Sequence, residues 1–219
     1  MGRPRKDGSE PEARQRLIDA FWTLLETNQL REVTVGMITS EAKCNRGTFY
    51  YHFADMDALI SSAIENEFLG TRAISRDIFA LVTGMEEQLW NSFLIGERAA
   101  RLSLVMEKGG SDIVNEKVKS VVVKMWRAIL CMNGADLAPA TRLIIEYSTS
   151  GMIGLLASNV ASKTEELPAI IIESGFLREN AVSTLSLISK AQGIPTEDVV
   201  ARLQIASQLM EVQGSKATA

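Results

Sequence analysis

The stretch NRGTFYYHF, from Asn45 to Phe53, decides how this chain folds. Phe49 and Phe53 are four residues apart, so on a helix they share one face and can pack together against a core. The polar side chains of the stretch then point to other sides, where they can donate hydrogen bonds to phosphate oxygens or base edges. These side chains are Arg46, Tyr50, Tyr51 and His52. A short helix divided in this way fits a groove of DNA, and it also fits a solvated amphipathic helix.

The twelve residues before this stretch favour the DNA-binding interpretation. Thr34 is placed to cap a helix by accepting a hydrogen bond from a backbone N–H group of the first turn. Val35, Ile38 and Ala42 follow at three- and four-residue steps and form one apolar stripe. Asn45 is a second cap candidate and opens the next helix. Two short helices joined by a turn of about three residues form a helix-turn-helix, in which the second helix is the recognition helix.

The two helices carry a pattern that consists of Thr34, Ile38, Ala42, residues 47–53 and Leu59. This pattern resembles the DNA-binding signature of the tetracycline-repressor (TetR) family. The resemblance is specific over roughly residues 12–60, and beyond them it is one of architecture. It implies an N-terminal three-helix DNA-binding unit, a larger helical C-terminal domain that binds a small molecule, and a homodimer.

The resemblance also indicates which side chains contact DNA, and two positions depart from the family pattern. The expected contacts are Thr34, Lys43, Asn45, Arg46, Gly47, Thr48, Tyr50, Tyr51 and His52. The turn between the two helices usually carries Gly, whereas this chain has Lys43. A left-handed conformation there costs a non-Gly residue roughly 1–2 kcal/mol, although a Lys adds a possible phosphate contact. The next helix usually begins with a phosphate-contacting Lys, whereas this chain has Met56 between two Asp residues, which repel phosphate.

The charge of the chain is distributed unevenly. The net charge is -4, but residues 1–53 contain eight Lys and Arg against seven Asp and Glu, and the remainder contains fifteen against twenty. A weakly positive N-terminal part on an acidic body is consistent with DNA binding at one end. The basic segment from Gly2 to Lys6 is either an arm that enters the minor groove or a solvated tail.

The sequence argues against an enzyme and against a metal site. Its single histidine, His52, lies between aromatic residues of the recognition helix, with no evident acid or nucleophile beside it. No Gly-rich phosphate loop, G-x-S-x-G elbow or H-E-x-x-H motif occurs in the sequence. Cys44 and Cys131 are far apart and lack metal-ligand spacing, so we expect free thiols in a reducing cytoplasm. We therefore expect neither catalysis nor a cofactor.

The sequence also predicts a cytoplasmic protein that does not enter a membrane. The N-terminus has no apolar run after its charges, which argues against a signal peptide. The longest uncharged stretch in the central helix of the body, residues 147–162, is rich in Ser, Thr, Gly and Asn, and it is short for a membrane span.

The remaining sequence predicts helices throughout, so we expect an all-α chain with one domain at residues 1–70 and a second at residues 71–219. Apolar stripes at helical spacing predict five helices between residues 86 and 212. The clearest boundary is Gly193-Ile194-Pro195, which is a stop-and-restart signal. The helix that begins after Asp55 is expected to link the two domains stiffly, because no Pro-rich or Gly-rich linker follows it.

Methionine and aromatic residues of the second domain predict an apolar ligand pocket, although the same residues also suit a plain core. The pocket candidates are Trp90, Phe93, Met106, Met125, Trp126, Tyr147 and Met152. Glu146, beside Tyr147, is either a polar ligand contact or a solvated side chain.

The last two helices contain more apolar positions than one buried side requires. By resemblance they pair with their copies in a four-helix interface, and packing within one chain is the alternative. The predicted interface residues are Leu185, Ile188, Val199, Leu203 and Leu209.

Taken with the resemblance, these features predict a homodimeric, ligand-responsive transcriptional regulator. We expect a repressor that binds double-stranded operator DNA and is released by a small, largely apolar effector. The alternative is a helical dimer that binds a ligand or a protein and carries a weak or degenerate DNA-binding head. This alternative stays open because the family pattern is broken at Lys43 and Met56, and because the Asp residues beside Met56 repel phosphate.

Overall fold

The computed structural model of the chain describes residues 10–68, 71–85, 97–132, 134–157 and 175–208, and within these ranges it contains helices and no strand. The helices are α1 (Glu10–Thr27), α2 (Val35–Glu41), α3 (Arg46–His52), α4 (Met56–Phe68), α5 (Thr71–Thr83), α6 (Glu97–Val105), α7 (Ser111–Leu130), α8 (Pro139–Ala157), α9 (Phe176–Gln192) and α10 (Thr196–Gln208). A short 3-10 helix, Leu30–Glu32, follows α1, and a π-helical segment, Met106–Gly110, joins α6 to α7. The prediction of an all-α fold is confirmed.

Side-chain caps set the starts of the N-terminal helices at the residues that the sequence indicates. The Thr34 hydroxyl accepts a hydrogen bond from the backbone N–H three residues later, at 3.3 Å. The side chains of Asn45 and Asp55 accept the equivalent bonds for α3 and α4, each at 2.8 Å. Each cap satisfies a backbone donor that the first turn of a helix leaves without an intrahelical partner.

The helices α1 to α4 pack around a small apolar core. Its largest contributions come from side chains that are 3% exposed or less, namely Leu17, Ile18, Phe21, Leu25, Ile38, Phe49, Phe53 and Leu59. Burial of an apolar side chain of this size contributes about 1.5–3 kcal/mol relative to exposure. Because all four helices supply these side chains, their burial holds the helix-turn-helix and its supporting helices together.

Residues 10–68, called the head below, pack directly against the rest of the described chain, called the body. The buried apolar side chains of the two parts form one continuous cluster. The Arg101 guanidinium of α6 lies 5.5 Å from the ring centre of Trp22 in α1. The Lys117 ammonium of α7 lies 3.9 Å from the Glu65 carboxylate of α4. The junction between head and body is therefore packed on more than one side, as a stiff connection requires.

Gly110, at the end of the π-helical segment, lies close to the head. A Cβ atom at this position would lie 2.5 Å from Val105 Cγ1 and 2.9 Å from Leu30 Cδ2. Leu30 belongs to the 3-10 helix that precedes α2. The neighbouring Gly109 has a φ of 97°, which turns the chain between α6 and α7. The lack of a side chain at Gly110 thus lets the body touch the head just before the helix-turn-helix.

The body is a helical bundle in which α10 packs chiefly on α5 and α9 packs chiefly on α8. Gly193 ends α9 with a φ of 69°, and Pro195 precedes α10, as the stop-and-restart signal predicts. Within the described ranges, no helix combines the length and the apolar character needed to cross a membrane.

The structure corrects the residues that were assigned to the dimer interface. The four described members of that set are at most 3% exposed in the single chain, because α9 and α10 bury them against α5, α7 and α8. They are Leu185, Ile188, Val199 and Leu203. A side chain that its own chain covers has no surface left for a partner subunit. Leu209 lies outside the described residues.

The turn between α2 and α3 contains Lys43 in the left-handed conformation, with a φ of 52°. Among the described residues other than Gly, Lys43 is the one with a positive φ. Its backbone N–H donates a hydrogen bond to the Ser40 carbonyl at 3.2 Å, which closes the turn. The backbone strain that the sequence suggests at this position is therefore present in the fold.

Replacing Lys43 with Gly should raise the free energy of unfolding by up to about 1 kcal/mol, because relief of about 1–2 kcal/mol of strain exceeds the extra backbone entropy that Gly loses on folding. Ser40→Gly, in the regular backbone of α2, is the matched control and should lower the free energy of unfolding by about 0.5–1 kcal/mol. Urea unfolding followed by circular dichroism measures both changes. A loss of stability in Lys43→Gly would mean that contacts of the Lys side chain outweigh the strain.

Candidate functional site

The buried side of α3 fixes the direction in which its remaining residues point. Phe49 is fully buried and Phe53 is 3% exposed, and their ring centres are 5.9 Å apart. The Arg14 guanidinium of α1 lies 5.4 Å from the centre of the Phe53 ring, which adds a cation–π contact. Because both Phe side chains are anchored in the core, α3 cannot rotate about its axis without breaking this packing.

The other side of α3 is exposed. Tyr50 is 58% exposed and Tyr51 is 68% exposed. Arg46 and Gly47 are exposed at the start of the helix, and His52 is half-buried with its ring centre 5.0 Å from that of Tyr51. This surface combines guanidinium, phenol and imidazole groups with the open backbone of a Gly. All of these groups can approach phosphates or base edges.

Three predicted contact residues have side chains that form hydrogen bonds in the helix caps. They are Thr34, Asn45 and Thr48. The Asn45 carboxamide oxygen accepts hydrogen bonds from the Thr48 N–H at 2.8 Å and from the Thr48 hydroxyl at 3.2 Å. A Cβ atom at Gly47 would come within 3.0 Å of the same oxygen, so Gly at this position leaves room for the cap. These residues hold the starts of α2 and α3 in place at the surface that carries Arg46.

Lys43 and Met56, the two departures from the family pattern, lie in different environments. Lys43 is exposed in the turn between α2 and α3. Met56 is half-buried, packs against the core, and lines a groove between head and body together with Leu30. Of the flanking acids, Asp55 caps α4 and Asp57 is exposed. The position at which the family has a phosphate-contacting Lys is therefore held by an apolar side chain at the junction.

Cys44 is half-buried and packs against the core beside the helix-turn-helix. Burial raises the pKa of the Cys44 thiol, and the positive charge of Arg16 lowers it by a smaller amount. The thiol is therefore protonated at neutral pH and packs as a small apolar group. Cys131 is also a half-buried free thiol.

The body contains a cavity of about 270 Å³ between α5, α7, α8 and α9. Its volume is near the lower end of the range of roughly 300–1,000 Å³ that is typical of small-molecule sites. Helix α5 lines it with Ile74, Ile78 and Leu81, α7 with Val118, Val122 and Trp126, α8 with Ile145, Tyr147, Ser148, Thr149, Gly151, Met152 and Leu155, and α9 with Phe176, Leu177, Asn180, Ala181, Thr184 and Leu185. The wall is mainly apolar.

The pocket candidates from the sequence fall into three groups. Those that line the cavity are Trp126, Tyr147 and Met152. Met106 and Met125 are buried in the core and are not part of the cavity wall. Trp90 and Phe93 lie outside the described residues. Glu146, considered as a polar ligand contact, instead forms an ion pair with Lys119 of α7 and is exposed.

The sequence analysis misses the contributions of α5 and α9 to the cavity. Ile74, Ile78 and Leu81 recur at helical spacing in α5, which predicts a buried side but does not reveal what that side meets. Leu185 of α9 lines the cavity, although the sequence analysis assigns it to the dimer interface. An apolar stripe identifies a buried side, and the packing of the other helices decides whether it meets a cavity, a core or a partner.

Comparison with protein families agrees with the geometry of the head. Residues 17–63 match the model of the family described as bacterial regulatory proteins, tetR family. The match extends from α1 into α4, so it covers the caps, the strained turn and the recognition helix. Among curated proteins, no match to the chain is found. Residues 17–63 are therefore a DNA-binding domain of the tetR family type, and this domain makes the chain a DNA-binding transcriptional regulator.

Proposed function

We propose that this regulator is a homodimeric cytoplasmic repressor that leaves its operator when a small, largely apolar effector fills the cavity of the body. In this proposal residues 1–70 are the DNA-binding domain, and residues 71–219 are the ligand-binding and dimerisation domain. The observation that carries the proposal is the division of α3 into a side that is buried by Phe49 and Phe53 and an exposed side that is rich in hydrogen-bond donors.

In the proposed complex, α3 lies in the major groove of double-stranded operator DNA. Arg46, Tyr50 and Tyr51 are exposed on α3 and contact phosphates and base edges there. Lys43, exposed in the turn before α3, adds a phosphate contact. Because phosphate contacts release counterions from DNA, the affinity falls as the salt concentration rises.

A second copy of the chain supplies the second recognition helix, so that two heads bind successive major grooves. The partner surface proposed here consists of apolar side chains that α9 and α10 leave exposed, namely Val182, Leu187 and Ile205. Leu187 and Ile205 are each 52% exposed in the single chain. Apolar side chains of this kind become covered when two copies pack through their last two helices.

The route from the cavity to the head runs through α7. Val118, Val122 and Trp126 place α7 in the cavity wall. The same helix begins directly after Gly110, which approaches Leu30 of the head. A ligand that displaces α7 therefore also displaces the contact in front of the helix-turn-helix. This favours a head position that no longer fits both grooves, which is a shift between two conformational populations.

The alternative function is a helical dimer that binds a ligand or a protein and has lost effective operator recognition. The specific observation in its favour is that Met56 packs at the junction, next to the exposed Asp57, where the family has a Lys that contacts phosphate. Selection of duplexes from a random DNA library by the full chain separates the two functions. Enrichment of one two-fold symmetric sequence supports the repressor, and recovery of unselected DNA supports the alternative.

Tyr51→Ala should weaken binding to the selected operator by roughly 1–3 kcal/mol, because a base or phosphate contact is lost. The melting temperature should change little, since Tyr51 is 68% exposed. Leu143→Ala is the control, because Leu143 is 71% exposed on α8 of the body and does not line the cavity, and it should leave operator affinity unchanged. Fluorescence anisotropy with labelled operator measures all three proteins. Unchanged affinity in Tyr51→Ala, or a large loss of stability, would contradict the assigned DNA-facing side.

Leu187→Glu and Ile205→Glu should each produce monomers in analytical sedimentation, because a dimer would bury the new carboxylate without a partner charge. Helical content should stay unchanged, since both positions are half exposed in the single chain. Met132→Glu is the control, because Met132 is 68% exposed just beyond the end of α7. Dimers in both interface variants would place the interface on other helices.

Gly110→Ala should lower operator affinity by at least about tenfold in the absence of any ligand. The added methyl group collides with Val105 and Leu30, so it pushes the head away from the body or lowers the stability by about 1–3 kcal/mol. Gly154→Ala is the control, since a Cβ atom there meets no other atom within 4 Å. Thermal unfolding measured in parallel separates a displaced head from a general loss of structure. Normal operator affinity in a folded Gly110→Ala protein would exclude this contact from the release mechanism.

A further inference from the structure

The polarity of the cavity wall restricts the molecules that can occupy it. Among the described residues, no Asp, Glu, Lys, Arg or His side chain lines the cavity. Transfer of an ion from water into such surroundings, without a partner of opposite charge, is strongly unfavourable. The polar groups of the wall are uncharged and lie on α8 and α9, and they belong to Tyr147, Ser148, Thr149, Asn180 and Thr184.

Thr149 is the most buried of the hydroxyl-bearing residues of the wall. It is 5% exposed and lines the cavity. Because Thr149 lines the cavity, a ligand there can form a hydrogen bond with its hydroxyl.

Two further hydroxyl groups of the same wall form a pair. The Ser148 and Thr184 hydroxyl oxygens are 3.3 Å apart, which is longer than the distance of about 2.7–2.8 Å that is usual between hydroxyl groups. Because this hydrogen bond is weak, either group can turn to a ligand with little loss. Helices α8 and α9 thus bring three hydroxyl groups to one mainly apolar wall.

We propose that the cavity selects an uncharged, mainly apolar molecule that carries one hydroxyl or carbonyl group, and that Thr149 and the Ser148–Thr184 pair bind this group. The apolar part of the molecule packs against the Ile, Leu, Val and Trp side chains of α5 and α7. This inference rests on the proposed function for its biological role, because it defines the chemistry of the effector. The binding chemistry itself follows from the cavity wall and is measured without DNA.

Three probes of similar shape, naphthol, naphthalene and naphthoate, test the chemistry on the full-length wild-type chain. Each displaces the uncharged fluorescent dye N-phenylnaphthylamine, and the loss of dye emission gives its affinity. We expect naphthol to bind about three- to tenfold more tightly than naphthalene, because one additional hydrogen bond has an effect of this size. Naphthoate should bind at least about tenfold more weakly than naphthol. Equal affinities for naphthol and naphthoate would overturn the proposal.

Thr149→Val tests the role of the hydroxyl, because it preserves the shape of the side chain. The affinity for naphthol should fall toward that for naphthalene, while the affinity for naphthalene stays unchanged. Thr141→Val is the matched control, since Thr141 is a fully buried residue of α8 whose hydroxyl lacks a described partner but does not line the cavity. It should change neither affinity. Thr184→Val provides an independent test on α9 and should show the same selective loss. Equal weakening of both probes by the two cavity variants would overturn the assigned role of the hydroxyl groups.

Addition of naphthol to the protein–operator complex then separates this inference from the proposed function. The expected order of probe affinities, without release of operator, would support the ligand chemistry and contradict the effector role. Absence of dye and probe binding, with normal operator recognition, would overturn the ligand chemistry and leave the DNA-binding assignment in place.

Discussion

The packing of Phe49 and Phe53 into the core of the head is the constraint on which the rest of the structure depends. These two side chains fix the rotation of α3, and the rotation decides that Tyr50 and Tyr51 are exposed. The caps at both short helices limit the remaining freedom, since each helix must begin at a defined residue. A helix of seven residues has little intrinsic stability, so its position comes from this tertiary packing and not from helix propensity.

The head contacts the body through three different kinds of interaction. Arg101 lies over Trp22, Lys117 pairs with Glu65, and Gly110 approaches Leu30. The first two contacts involve long charged side chains and tolerate small displacements. At the third, a Cβ atom would lie only 2.9 Å from Leu30 Cδ2, so the contact leaves no room for a side chain at Gly110. Together these contacts hold the head against the body. Because α7 begins directly after Gly110, the position of α7 affects the third contact.

The features that were predictable from sequence are those with local causes. The caps at Thr34, Asn45 and Asp55, the left-handed turn at Lys43 and the stop-and-restart signal before α10 each depend on residues a few positions apart. The body was less predictable, because its helices are apolar on more than one side. Spacing alone does not reveal whether Leu203 faces its own chain or a partner, or whether Leu185 faces a core or a cavity. The surroundings of these two residues depend on how α5, α8, α9 and α10 pack, and these helices are far apart in the sequence.

Two buried tryptophans lie at the two ends of the proposed route from the cavity to the head, so their fluorescence can report on each end. Trp126 lies in the cavity wall, and Trp22 lies under Arg101 where the head meets the body. Both indoles are at least nine-tenths buried, so their emission reports on the protein interior and not on solvent. The chain has a third tryptophan, Trp90, so replacement of Trp90 and of one of these two indoles by phenyl rings leaves the other as an indicator for its own end of the route. Occupation of the body and movement at the head thereby become two separately observable events, and their order in time can be resolved.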